Sequence, residues 1–205
     1  MLHSLNLWPK ELLMLERSFT PSEAERNAWQ TEDMYEQHIQ RCLWQRHRSA
    51  AHAILPNYTP VGWYECDLYV VSRAYRTVEY EVKLTLTDFK ADVRKRRKHE
   101  ELQNRCGKNM PNRFFYAVPA MVVSPRDVPD YAGLMYFRWS APERARRLAA
   151  PLAAVIRTAP QLHDQRVTDV TINEMRRTAY WRFWNERFGF EDYRRNSRAW
   201  AAAKT

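Results

Sequence analysis

The 205-residue sequence predicts an α/β (α+β) fold: a small mixed central sheet flanked by helices, with helical extensions at both ends. Three observations predict it. Two neighbouring segments, 65–71 and 77–84, alternate polar and apolar residues as half-buried strands do. Helix-starting residues, Thr85 and Thr87, follow the second segment directly. An apolar run from Arg113 to Val118 lies between Pro111 and Pro119 and reads as a buried strand.

The first third reads as helical. Pro9 suits the start of a short helix, and Thr20-Pro21-Ser22-Glu23 is a capping box with proline at the first helical position. Thr31 caps a longer helix whose first turn carries Glu32 and Asp33. In it Glu36, Ile39, Gln40 and Leu43 fall at i, i+3, i+4 and i+7, so Glu36 lies on or beside the apolar face. Pro56 and Asn57 end this helical section.

The period then changes. Glu65 to Val71 is a strand, Ser72 to Arg76 a turn, and Thr77 to Leu84 a second strand. A helix runs from Thr85 or Thr87 to about Asn104, with Gly107 as its stop. Its apolar stripe, Leu86, Phe89 and Val93, fades after two turns, so the remainder is expected to project from the core. Strands follow at 113–118, with 121–123 as an extension, and at 134–137. Beyond Ser140 the sequence reads as helical again: an Ala/Arg-rich stretch 143–157 broken by Pro151, an aromatic and basic helix over 168–188, and a basic tail. The expected organisation is an N-terminal helical extension 1–30, a core 31–140 and a C-terminal helical extension 141–205.

Composition excludes several classes. No stretch approaches the roughly 18 apolar residues of a membrane span. The N-terminus lacks the cationic start and small-residue cleavage site of a secretory signal, and the three cysteines are scattered, so the expected location is the cytoplasm. With four glycines there is no phosphate-binding Gly-rich loop. Thirty-three Lys and Arg against 24 Asp and Glu give +9, which suits a polyanionic partner. The excess is clustered: Arg94, Lys95, Arg96, Arg97 and Lys98 are consecutive, followed by His99.

The hairpin is where chemistry is expected. If the two strands pair antiparallel around 72–76, Asp67 comes roughly opposite Glu81. Two carboxylates brought together repel unless a cation joins them, and Mg²⁺ takes one or two carboxylates while keeping waters for a phosphate. Lys83 shares the face of Glu81, and its ammonium can orient a water or offset charge building on phosphate. The Val82 carbonyl is a natural further ligand, and Glu36 a further ligand or base. The plain alternative is that Glu79, Glu81 and Lys83 form the solvated face of an amphipathic hairpin. Glu65 and Glu79 compete with the named acids, since they share the same strand faces.

These residues resemble the PD-(D/E)xK nuclease superfamily, the restriction-endonuclease-like fold, and within it small phage and bacterial nuclease-like proteins. The resemblance rests on Trp63-Tyr64-Glu65-Cys66-Asp67, on Tyr80-Glu81-Val82-Lys83, on the helix with Asp88-Phe89, Asp92, Lys95 and Lys98-His99, and on Pro111-Asn112-Arg113-Phe114 through Pro119. It spans about residues 31–138. It implies a metal-dependent phosphodiesterase acting on DNA, with Asp67 and Glu81 as ligands of Mg²⁺ (or Mn²⁺), Lys83 as catalytic lysine and Glu36 as the upstream helical glutamate. Cys66 stands where a proline often precedes the aspartate.

Arg94, Arg96 and Arg97 are expected to bind backbone phosphates; Lys95, Lys98 and His99 either contact phosphate or stand behind the site. Asp88 and Asp92 are expected to form only helical ion-pair ladders. The aromatics Tyr180, Trp181, Phe183, Trp184 and Phe188 are expected to pack their helix onto the core, with stacking on splayed bases the alternative. A nuclease-like module that binds DNA without cutting is the second functional expectation. These residues do not separate DNA from RNA, and they do not set the oligomeric state, for which a homodimer is one option.

Overall fold

The computed structural model describes residues 34–139 and 151–189. The expected helices at Pro9 and at Thr20–Glu23, the Thr31 cap, the stretch 143–150 and the basic tail lie outside the described residues. The chain divides into two compact units, Met1–Arg166 and Val167–Thr205.

The first unit holds helix α1 (Glu36–His47), strands β1 (Ala51–Tyr58), β2 (Cys66–Ser72) and β3 (Thr77–Val82), helices α2 (Leu86–Val93) and α3 (Arg96–Asn104), and strands β4 (Arg113–Pro119), β5 (Ala132–Arg138) and β6 (Leu152–Arg157). The six strands form one sheet in sequence order. β1, β2 and β3 pair antiparallel, β3, β4 and β5 parallel, and β5 and β6 antiparallel. The mixed α/β architecture is the one the sequence predicts.

Parallel β3 and β4 require a crossover, and α2 and α3 supply it. Buried Asn112 ties its far end: its Oδ1 accepts from the Thr77 backbone N–H at 2.7 Å and from Thr77 Oγ1 at 3.0 Å. This fixes where β4 begins beside β3.

The two faces of the sheet differ. On one, Leu68, Val70, Val78, Tyr80, Val82, Phe115, Ala117, Met135 and Phe137 form the main apolar core with Ile39 and Leu43 of α1. Alternation places Tyr69, Glu79 and Phe114 in one cross-strand row of the other face, and Glu81, Tyr116 and Leu134 in the next. The crossover helices lie on this second face. Phe89 of α2 meets Tyr116 with ring centroids 4.8 Å apart, and Lys98 of α3 stands over the Phe114 ring.

Several expectations are corrected. Residues 51–58 form a strand and not the end of a helical section; Pro56 is tolerated because β1 is an edge strand, where a missing N–H breaks no inner ladder. The single helix expected to Asn104 is broken at Arg94–Lys95, where the Lys95 N–H returns to the Asp92 carbonyl. It ends at Arg105 in the left-handed region (φ 55°), ahead of Gly107. Residues 152–157, expected as helix, form β6. The run Leu-Ala-Ala-Val-Ile-Arg has no strict period, and pairing with β5 decides its state.

The second unit contains α4 (Asp169–Phe188), close to the expected 168–188. Ile172 and Met175 are buried, and Tyr180, Trp181, Phe183 and Phe188 are exposed.

Candidate active site

The geometry starts from the β2–β3 register. Leu68 pairs with Tyr80, so the preceding residue, Asp67, comes level with Glu81. Asp67 Oδ2 accepts the Val82 N–H at 2.6 Å, which pins the aspartate to the end of β3. Lys83 Nζ lies 2.6 Å from Glu81 Oε1 and 3.8 Å from Asp67 Oδ2. The two acids and the lysine expected from sequence thus meet on one face.

Of the competing acids, Glu65 is exposed and precedes β2. Glu79 is fully buried beside Glu81, and its Oε2 accepts from Trp63 Nε1 at 2.7 Å. Glu36 sits in the first turn of α1. Gln40 Nε2 donates to Glu36 Oε1 at 2.5 Å and to the Asp67 backbone carbonyl at 2.9 Å. Glu36 therefore connects to the site through Gln40.

The basic cluster splits in two. Arg94, Lys95, Arg96 and Arg97 are exposed at the α2–α3 joint. Lys95 pairs with Asp92 at 3.0 Å and Arg97 with Glu101 at 3.4 Å, whereas Arg94 and Arg96 form no ion pair among the described residues. Lys98 and His99 turn inward and are buried, so of the two roles expected for them they take the place behind the site and not phosphate contact. Lys98 Nζ is 2.7 Å from Glu79 Oε1 and 2.7 Å from Glu81 Oε2. Glu81 is bracketed by two ammonium groups, one on each oxygen.

Asp92, expected to form only a helical ion-pair ladder, does pair with Lys95 at i+3 but is also buried behind Lys83, 3.8 Å from its Nζ. Tyr116 Oη donates to Asp92 Oδ2 at 3.0 Å. His99 Nε2 lies 2.9 Å from the Asp92 carbonyl, which can only accept, so Nε2 carries the proton. Nδ1 lies 2.6 Å from Tyr131 Oη. Glu79, Asp92, Gln40, Tyr116 and Tyr131 are the site residues that sequence reasoning passes over or treats only as competitors. The signal for Glu79 is its parity with Glu81, and for Asp92 and His99 their shared helical face.

The electrostatics follow from burial and pairing. Burial and the neighbouring Glu81 carboxylate push Asp67 up to about 6, against the pull of Lys83 and the Val82 N–H. Burial also raises Glu79, although Lys98 and Trp63 oppose it. For Asp92 burial works upward but is outweighed by His99, Lys83 and Lys95, which hold its carboxyl far below the ordinary range. Burial alone would discharge Lys83; Glu81, Asp92 and Asp67 overcome it and raise its pKa. Lys83 is therefore a permanent hydrogen-bond donor at neutral pH and not a base.

The donor set suits a hard dication. Among the described residues no group of three or more His, Cys, Asp or Glu side chains forms a metal cage. Mg²⁺ needs no such cage, because one or two carboxylates and retained waters suffice. Asp67 and Glu81 could supply them.

No protein-family model matches the chain, and no curated protein matches it. A solved structure of a protein of unknown function from Silicibacter pomeroyi is similar, with a TM-score of 0.52 and 18% sequence identity over 79% of this chain and 99% of that one. At that identity the likeness speaks to the fold alone. No helix among the described residues is long and apolar enough to cross a membrane.

Proposed function

We propose that the protein is a Mg²⁺- or Mn²⁺-dependent DNA nuclease that hydrolyses phosphodiester bonds, in keeping with the resemblance to the PD-(D/E)xK superfamily. The observation that carries the reading is the convergence of Asp67, Glu81 and Lys83, with one ammonium nitrogen 2.6 Å from one acid and 3.8 Å from the other.

In this reading Asp67 and Glu81, with the Val82 carbonyl, would hold the ion. When bound, it would activate a water and polarise a phosphodiester oxygen. Lys83 keeps its proton and donates to the attacking water or to the oxygen on which charge builds. Asp92 and Lys98 fix Lys83 and Glu81 from behind, so little reorganisation accompanies the reaction. Glu36, through Gln40, holds the Asp67 backbone in place.

Arg94, Lys95, Arg96 and Arg97 would hold the DNA backbone. Their position supports this. The first turn of α3 carries Arg96, Arg97 and Lys98 and no acid, the reverse of what the helix dipole favours. Lys98 is compensated by glutamates and Arg97 by Glu101, whereas Arg96 forms no ion pair among the described residues.

The decisive assay incubates supercoiled, linear, branched and single-stranded DNA with the protein in Mg²⁺, Mn²⁺ or EDTA. Cutting is expected with metal, none in EDTA, and a loss of about 100-fold or more in Glu81→Ala and in Lys83→Ala. Cutting that persists in both variants refutes the proposal. One observation favours a second reading, a DNA-binding module that does not cut: Glu79, Glu81 and Asp92 are already paired with lysines, so the cluster holds together with no dication. That reading predicts salt-dependent binding, indifferent to metal, without cleavage.

A further inference from the structure

Helix α4 exposes a face on which aromatic and basic side chains are mixed. At about 100° per residue, Glu174, Thr178, Arg182 and Asn185 share one face, and all four are half-buried. The opposite face carries Arg176, Tyr180, Phe183 and Arg187 at i, i+4, i+7 and i+11, and all four are exposed. Tyr180 is 56% and Phe183 59% accessible. A helix that packs for stability places its aromatics inward and its arginines outward. Here aromatics and arginines together occupy the solvent face. Each ring meets Trp184 at a steep angle, with centroids 6.0 Å apart for Tyr180 and 5.3 Å for Phe183, and still leaves more than half of its surface exposed.

We infer that the Arg176–Tyr180–Phe183–Arg187 stripe of α4 binds a single-stranded nucleic-acid segment. The ring pair would stack with unpaired bases and the flanking arginines would hold phosphates. The chemistry of the stripe selects this occupant. Two arginines about 16 Å apart along the axis enclose two rings about 4.5 Å apart in rise. That order sets two base-stacking groups between two phosphate-binding groups, and the whole chain is at +9. A second copy of the chain fits poorly, because pairing this stripe with itself sets the arginines of one copy against those of the other. A lipid surface fits poorly too, since the stripe holds no aliphatic side chain.

The inference does not depend on the nuclease reading, because it needs neither metal nor Lys83. Accordingly the test is done in EDTA, with the full chain and a fluorescein-labelled oligothymidylate, the matching oligouridylate and a duplex of equal length. Fluorescence anisotropy gives the affinities. Tyr180→Ala with Phe183→Ala is expected to weaken single-strand binding at least tenfold while changing duplex binding less than twofold. Tyr180→Phe with Phe183→Tyr is expected to restore it, since stacking needs a ring and not a hydroxyl. Comparable loss for DNA and RNA single strands identifies stacking on unpaired bases as the shared basis, and loss for one alone identifies the preferred strand. The substitutions are at exposed positions, and circular dichroism verifies that the helix is kept. Unchanged single-strand affinity overturns the inference, as does equal loss on duplex. Self-association of the wild type that the alanine variant abolishes also overturns it, by assigning the stripe to a second copy.

Discussion

Lys98 Nζ stands 2.7 Å from Oε2 of Glu81, and both groups are buried. The same nitrogen is 2.7 Å from Glu79. One lysine thus serves two glutamates that sit side by side on the sheet face.

Removing that lysine should be severe. Lys98→Met is expected to lose about 3–5 kcal/mol of stability, because it leaves the buried Glu79 carboxylate without a cation and Glu81 with Lys83 alone. Glu79→Gln combined with Lys98→Met should recover part of the loss. Urea denaturation of the two variants measures both effects. A loss under about 0.5 kcal/mol in the single variant would mean the pair is open to water.

Asp67 should report the metal. Its folded pKa near 6 lies above the ordinary 3.8, so the folded state binds its proton more tightly than the unfolded chain does. The resulting stability is complete below about pH 4 and is lost as pH rises through 6. Asp67→Asn, which keeps an acceptor for the Val82 N–H, should therefore be about 1–3 kcal/mol more stable than wild type in EDTA at about pH 7.5. Saturating Mg²⁺ should raise the wild-type melting temperature by several degrees and leave the variant unmoved. Differential scanning calorimetry with and without Mg²⁺ decides it, and a variant that still responds to the ion removes Asp67 from the ligand set.

His47 should control stability in acid. It is buried with its Nε2 2.7 Å from Tyr80 Oη, and burial followed by the Arg46 charge lowers its pKa to about 4. The unfolded chain takes up that proton near pH 6.5, so stability falls as pH drops from 6.5 through 4, by up to about 3 kcal/mol. His47→Gln should flatten this part of the pH–stability curve. Chemical denaturation at about pH 7 and about pH 4.5 supplies the comparison, and identical slopes for the two proteins would contradict the buried neutral imidazole.

The joint between α2 and α3 should set the salt dependence on duplex DNA. Arg94→Ala, Arg96→Ala and Arg97→Ala together are expected to lower the slope of log K against log salt by about 2–3, at roughly 0.9 for each phosphate no longer neutralised. Lys98→Arg, being buried, should leave the slope unchanged. A titration from low to moderate salt distinguishes them, and an unaltered slope in the triple variant would place the DNA elsewhere.

The sequence by itself determined the parts governed by neighbours along the chain. The β2–β3 hairpin was legible because strict alternation puts Glu79, Glu81 and Lys83 on one face and the core on the other. A short turn then brings Asp67 level with Glu81. The start of α2 was legible because Thr85 accepts the Asp88 N–H. Tertiary structure decided what depends on distant partners. β1 and β6 are edge strands formed by pairing, against a proline in one and an Ala-rich sequence in the other. The consecutive cations 94–98 carry no mark of which will be buried. A break at Lys95 turns Lys98 and His99 toward Glu79, Glu81 and Asp92 and leaves four cations outside. The aromatics of α4 likewise carry no mark of which will be exposed, and Tyr180, Trp181, Phe183 and Phe188 are. The physical reason is common to these cases: alternation and capping act over a few residues, whereas the burial of a charge or a ring depends on whatever the rest of the chain places beside it.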